Sequence, residues 1–377
     1  MSATNTPPTI LYQGLLRSPA SWARVGRGYL GGFGTLGHQV SAVSTRGFRH
    51  DPDFPLPRGI QEVSAREAHS GPRPDFGLGF LHPPHLERLI GRRRANLFVW
   101  ESDRAPPQWI RPLREHTDLV LVPSEFGRQT LENSGLPREQ IAVVPYGHDV
   151  AMNVPRPPRQ SAFVFLLVLS PHRRKGVSEA LTAFAKAFRA GDPVLLLIKS
   201  TYDPGTSKRR FPFEIPSWKT ALSEAGLLES GAPRWELDLS TRSDEDTLNL
   251  FRRADVYLNP SWGEAFGLAV LEAMACGTPA ITTGWSGPLD FFPESEDLLD
   301  FDLVEAGEEA LYEPVEGARV ARPRVEALTD RLRWHFENSR ASRELGQVAR
   351  KHVQSWTWTN AAKRLLDRLQ LTPGSEI

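Results

Sequence analysis

DVYLNPSWGEAFGLAVLEAMACGTPAITTGWSGPLD, residues 255–290, runs from an apolar stretch of strand length through a glycine-bearing loop into a helical pattern, and out to a second short apolar stretch. After VYLNP, the loop SWGEAFG opens a helix whose Leu268, Leu271 and Met274 recur at helical spacing, and Gly277 stops it. The amides of Phe266, Gly267 and Leu268, following Ala265, are then first-turn donors without an intrahelical partner. They form an anion site, and the missing side chain of Gly267 lets a diphosphate approach the backbone. Glu264 stands before the helix and Glu272 about two turns into it. Carboxylates repel phosphate but accept hydrogen bonds from hydroxyls, so a flanking pair suits one that grips a sugar and one that grips a ribose. The competing account makes Glu264 an ordinary first-turn acid and Glu272 a solvated face residue.

Upstream, the strand FVFLLVLS ends in PHRRKG, which places His172, Arg173, Arg174 and Lys175 at the carboxyl end of a parallel strand, where ligands of such sheets bind. Lys175 is the first lysine of a chain already rich in arginine, which hints at a need for an ammonium point charge. A solvated basic turn is the alternative.

Working outward, the chain reads as two series of strands alternating with helices. The first series has strands at Thr9–Leu16, Gln39–Ser44, Phe76–His82, Leu97–Glu101, Leu119–Pro123 and Ile141–Pro145, and helices at Trp22–Leu36, His85–Gly91, Trp109–His116 and Glu125–Ser134. NVPRPPRQ, residues 153–160, reads as a proline-stiffened linker. The second series has strands at Phe163–Leu169, Val194–Lys199, Trp235–Leu239, Val256–Pro260 and Ala280–Thr283. Its helices are Ser178–Phe188, Asp244–Arg253, Arg322–Asn338, Arg340–Val353 and Asn360–Leu369, and Arg210–Ser217 reads as an irregular loop. At 377 residues the chain is long enough for two domains. Two doubly wound domains in series predict facing sheets with a ligand cleft between them.

Equal numbers of basic and acidic residues, 45 each, argue against a nucleic-acid binder. The single cysteine, Cys276, excludes an intrachain disulfide framework and a cysteine-cluster metal site. The N-terminal MSATNTPPTILYQGLL lacks a basic region followed by an apolar stretch, and no run approaches bilayer length, which predicts a cytoplasmic protein. In LERLIGRRRANLF, Leu86, Leu89 and Ile90 adjoin Arg92, Arg93 and Arg94. The expectation is a solvated helix end, with weak peripheral contact to anionic lipid as the alternative.

These segments resemble glycosyltransferase family 4. EAFGLAVLE carries the family's two glutamates, Glu264 and Glu272, with seven residues between them, followed by GTPA and GPLD. GHQV, VPSEFGRQTLENSG, IAVVPYGHD, RRKG, FRRADVYLNPS, YEPVE and SWTWTNAAKRL agree in order over nearly the whole chain. The resemblance implies the α/β GT-B fold, with two facing Rossmann-like domains and an interdomain cleft. Its divisions would be an acceptor domain (1–154), a nucleotide-sugar donor domain (155–357) and a terminal helix (358–377) packing back on the first. It implies a retaining hexosyltransferase that uses a nucleotide diphosphate-sugar and a glycan, lipid-linked or small-molecule acceptor, with no metal or other cofactor. Glu264 would lie beside the donor sugar hydroxyls, Ala265, Phe266, Gly267 and Leu268 on sugar and diphosphate, and Glu272 on the ribose. Lys175 with Arg174 would neutralise the leaving diphosphate, and Gly14 would belong to the donor-facing loop. Two departures stand out. Leu169 and Ser170 occupy the region where relatives carry an arginine, which shifts that role to Arg173 or Arg174. VWESD places Glu101 where many have a histidine, so Glu101 and His82 become candidates for the acceptor or sugar site, with a paired structural carboxylate as the alternative for Glu101.

Other signals are set aside. GRGYLG at Gly26–Gly31, with Asp51 downstream, matches a dinucleotide fingerprint but falls inside a helix instead of opening from the first strand, so its glycines serve packing. Asp51-Pro52-Asp53 lacks the surroundings of a metal-binding acidic pair, and Trp356 and Trp358 anchor the terminal helix. A nucleotide-sugar epimerase or hydrolase on the same fold, or a non-catalytic nucleotide-sugar-binding relative, are the competing functions.

Overall fold

The computed structural model describes residues 8–47, 50–151, 154, 161–208 and 211–370. The chain divides into two compact units, the first made of residues 1–100, 105–149 and 355–377, the second of residues 101–104 and 150–354. All of the proline-rich stretch read as a linker, save Val154, lies outside the described residues.

The first unit carries a seven-stranded sheet: β1 (Ile10–Gly14), β2 (Val40–Ser44), β3 (Gln61–Glu62), β4 (Phe76–Phe80), β5 (Arg93–Leu97), β6 (Leu119–Val122) and β7 (Ile141–Val143). Its order is β3-β2-β1-β4-β5-β6-β7, and every pairing is parallel. The order reverses between β1 and β4, so the carboxyl ends of those strands form the crevice that such sheets offer to ligands. β1 is apolar because both its faces are covered, and even its Gln13 is buried, with its amide bridging Arg88 O (3.0 Å) and Ile90 N (2.6 Å).

The glycines of the fingerprint lie in the helix Ser21–Thr35; Gly26 and Gly28 are contact points, whereas Gly31 faces open space. A Cβ on Gly26 would sit 2.4 Å from the Tyr12 hydroxyl, and one on Gly28 would sit 2.3 Å from the Trp358 ring. Trp358 begins the helix Trp358–Arg368, which packs on Ser21–Thr35 and joins Tyr29 in an edge-to-face pair with centroids 5.3 Å apart.

Two expectations for this unit are corrected. The strand read at Leu97–Glu101 is β5, Arg93–Leu97, because its partners in β6 begin opposite Ala95 and end opposite Leu97. The apolar residues beyond it, Phe98 and Trp100, are buried as loop. Arg93 and Arg94 therefore start a strand and do not end a helix, and the helix read at His85–Gly91 is a 3₁₀ segment, Pro83–Arg88. Leu86, Leu89 and Ile90 are buried in their own unit.

In the second unit, β8 (Phe163–Leu169), β9 (Val194–Ser200), β10 (Trp235–Asp238), β11 (Val256–Asn259), β12 (Ala280–Thr283) and β13 (Leu298–Leu299) form a sheet ordered β10-β9-β8-β11-β12-β13, again all parallel. Its switch point lies between β8 and β11. An antiparallel hairpin of β14 (Phe301–Glu305) and β15 (Arg319–Pro323) follows, absent from the sequence reading. Arg322 belongs to β15, and the helix placed at Arg322–Asn338 is Val325–Glu337. No described helix is long and apolar enough to cross a membrane.

Candidate active site

The switch point of the second unit brings together the loops that leave β8 and β11. Gly176, at φ +68°, presses against the second loop so closely that a Cβ there would lie 1.9 Å from Pro260 O. Gly287, after β12, meets Ala265 O in the same way, at 2.4 Å. Three loops are thereby held backbone to backbone, an approach that side chains would forbid.

This contact sets Lys175 beside Glu264. Lys175 Nζ donates to Glu264 Oε1 at 2.6 Å, with side-chain exposures of 21% and 14%. Ser261 Oγ donates to the same oxygen at 2.8 Å, and the Glu264 amide donates to Ser286 Oγ at 3.0 Å. Burial raises the Glu264 carboxyl pKa, but the charges of Lys175 and Arg174, with hydrogen bonds from Lys175 and Ser261, outweigh it and hold the group below its usual range. Glu264 is an anion anchored by one cation and two serines.

Arg174 is 6% exposed; its guanidinium donates to Gly263 O and, at 3.0 Å, to Glu101 Oε1. Glu101 is thus paired with a cation of the same constellation. Arg173 is directed elsewhere, its Nε donating to Pro212 O and Glu214 O, both at 3.1 Å. His172, packed edge-on against Phe213, has its pKa lowered from 6.5 to about 3 by burial and by the charges of Arg174 and Lys175, so its ring is neutral at physiological pH.

The helix after Glu264 is Leu268–Ala275, capped by Gly267 in the left-handed region at φ +90°. Its own bonds begin with the Val270 and Leu271 amides, which donate to Gly267 O at 2.9 and 3.1 Å. The amides of Gly267 and Leu268 precede that first turn, at the positive end of the helix. Ala265 and Phe266 are buried in the loop leading to it. Glu272 is 3% exposed, which overturns the solvated-face reading. Tyr257 in β11 has its phenol pKa pushed up by burial and then by Glu264 and Glu272, so both carboxylates act on one buried hydroxyl.

Sequence reasoning missed Ser261 and Ser286. Ser286 adopts φ +69° without being glycine, a strained conformation held by its hydroxyl, which accepts from Glu264 N and donates to Trp285 O at 2.6 Å. Ser261, three residues before Glu264, was open to the eye as a hydroxyl at loop-closing distance; nothing in the sequence marks the backbone of Ser286.

Gly14 and His82 lie in the first unit. Gly14 ends β1, paired with Phe80 at the end of β4. His82 follows β4 on a loop tied down by the buried Asn96, whose side chain accepts from Leu81 N (3.0 Å) and donates to Leu81 O (3.1 Å). The His82 ring packs edge-on against Trp109, 4.7 Å away. Both residues therefore stand at that unit's switch point.

Residues 123–365 match the model of the family described as family 4 glycosyltransferases in conflict systems. The D-inositol 3-phosphate glycosyltransferase of Corynebacterium urealyticum is 24% identical over 315 residues, which cover 79% of this chain and 67% of that protein. The enzyme of the same name from Nocardia farcinica is 27% identical over 297 residues, covering 76% and 55%. The chain thus spans about two thirds and about half of these relatives' lengths. HepE of Anabaena, crystallised in complex with UDP and glucose, superposes with a TM-score of 0.70 at 13% identity, covering 97% of this chain and all of that one. That likeness shows the fold, GT-B, with its two Rossmann-like domains.

Proposed function

Because the chain belongs to the family 4 glycosyltransferases, we propose that this enzyme transfers a hexose from a nucleotide diphosphate-sugar to an acceptor hydroxyl, with retention of configuration and without a metal ion. The meeting of Lys175 and Glu264 at the switch point, beside the glycine-capped Leu268–Ala275 helix, carries the reading. Helix amides and Gly267 take the diphosphate, Glu264 the sugar hydroxyls and Glu272 the ribose. Lys175 and Arg174 supply the charge that a divalent cation would otherwise bring to the leaving phosphate, on the scale of several kcal/mol for preorganised groups. HepE's complex with UDP and glucose makes UDP-glucose the first donor to try.

In the proposed step the bond between the anomeric carbon and the phosphate oxygen breaks as the acceptor oxygen bonds to that carbon from the same face. The acceptor proton passes to the departing phosphate, so no protein nucleophile takes part.

A panel of nucleotide diphosphate-sugars with purified protein in EDTA tests this, scoring thermal shift and release of free nucleotide. One donor that raises the melting temperature and is slowly cleaved supports the proposal. Absence of binding across the panel, or cleavage only after a divalent ion is restored, refutes it.

A further inference from the structure

A pocket of about 300 Å³ opens in the second unit beside this constellation. Glu179, in the first turn of the helix Val177–Ala187, and Trp262, two residues before Glu264, both line it. Glu179 is 2% exposed and Trp262 8%. Arg322 joins them: its Nε donates to Glu179 Oε1 at 2.8 Å, and its guanidinium lies over the Trp262 ring, 5.3 Å from the centroid.

Two buried polar atoms here have no hydrogen-bond partner among the described residues: the second carboxylate oxygen, Glu179 Oε2, and the indole nitrogen, Trp262 Nε1. One accepts and the other donates. Burial without a partner disfavours both atoms, so the pocket suits something that both donates and accepts, as a hydroxyl does. Ile215, Pro216 and Ala221 give the lining an apolar side.

Charge narrows the class of ligand. Arg173 and Arg322 are offset by Glu179, Glu224 and Glu309 around the pocket, two cations against three carboxylates, which disfavours a phosphate. The volume stands at the small end of ligand pockets, roughly 300–1,000 Å³, enough for one ring and too little for a nucleotide. We propose that this pocket is a carbohydrate subsite that takes one uncharged pyranose, its hydroxyls shared between Glu179 Oε2 and Trp262 Nε1. The proposal goes beyond the donor assignment and does not depend on it.

Saturation-transfer NMR on the full chain with methyl glycosides of glucose, galactose, mannose and N-acetylglucosamine tests it, with UDP binding measured alongside as the separate report on the donor site. Transfer to at least one glycoside, weakened at least tenfold by Glu179→Gln and by Trp262→Phe while UDP affinity holds, is the expected result. Silence from every glycoside, or transfer that both variants retain, overturns the subsite whatever UDP does. Crystals of the unaltered protein soaked with the same glycosides decide the matter should a variant fail to fold: sugar on Glu179 and Trp262 upholds the proposal, and sugar elsewhere or none refutes it.

Discussion

At the scale of single residues, the site neutralises itself. Lys175 is paired with Glu264 and Arg174 with Glu101, so a small anion must compete with a built-in counterion, whereas under the proposed function a sugar nucleotide would repay Glu264 with hydroxyls as it takes the lysine. On this account Glu264→Gln lowers kcat about 100-fold while the dissociation constant for UDP moves less than threefold; steady-state kinetics and calorimetry separate the two, and an unaltered kcat removes the role given to Glu264. His172 yields a prediction about acid. Its pKa falls from 6.5 to about 3 on folding, so the folded state binds fewer protons in that window and stability declines as pH drops below 6.5, flattening near 3. His172→Asn removes its share of that decline in urea melts between pH 5 and 7.5, and an identical slope in the variant contradicts the shift. Glu264, Lys175 and Gly267 were legible in sequence because glycine and charge mark the ends of strands and helices. The backbone of Ser286 was not, since positive φ in a serine is imposed by its surroundings.

At the scale of elements, loops and strands were legible where burial covers both sides. FVFLLVL, buried for most of its length, coincides with β8. The β14–β15 hairpin escaped because FDLVE is largely exposed and offers no apolar run, while Arg322 and its neighbours lean into a helical pattern. The run NLFVW misled because burial continues past the last ladder partner of β5. What joins the loops of the site is glycine, and the clearest case is Gly176. Gly176→Ala places a methyl group against Pro260 O in a conformation that alanine avoids, at an expected cost of about 3 kcal/mol, with Lys175 drawn away from Glu264. Denaturant midpoints and UDP affinity should fall together; a variant of unaltered stability shows that the loops are not clamped there.

At the scale of the whole molecule, the first unit is completed by residues far along the chain. Trp358 fills the space that Gly28 leaves, and the helix it begins lies along Ser21–Thr35. Trp358→Ala should therefore cost about 3–5 kcal/mol and act on that unit, a change that hydrogen exchange can localise: β1 and the Ser21–Thr35 helix lose protection while β8 and β11 keep theirs. Uniform loss would show that the two units melt as one. The same connectivity has a meaning for synthesis. Residues 150–354 leave the ribosome before Trp358 does, so the second unit can finish while the first still waits for its final helix. On that connectivity the first unit cannot be completed until residues 150–354 have been synthesised.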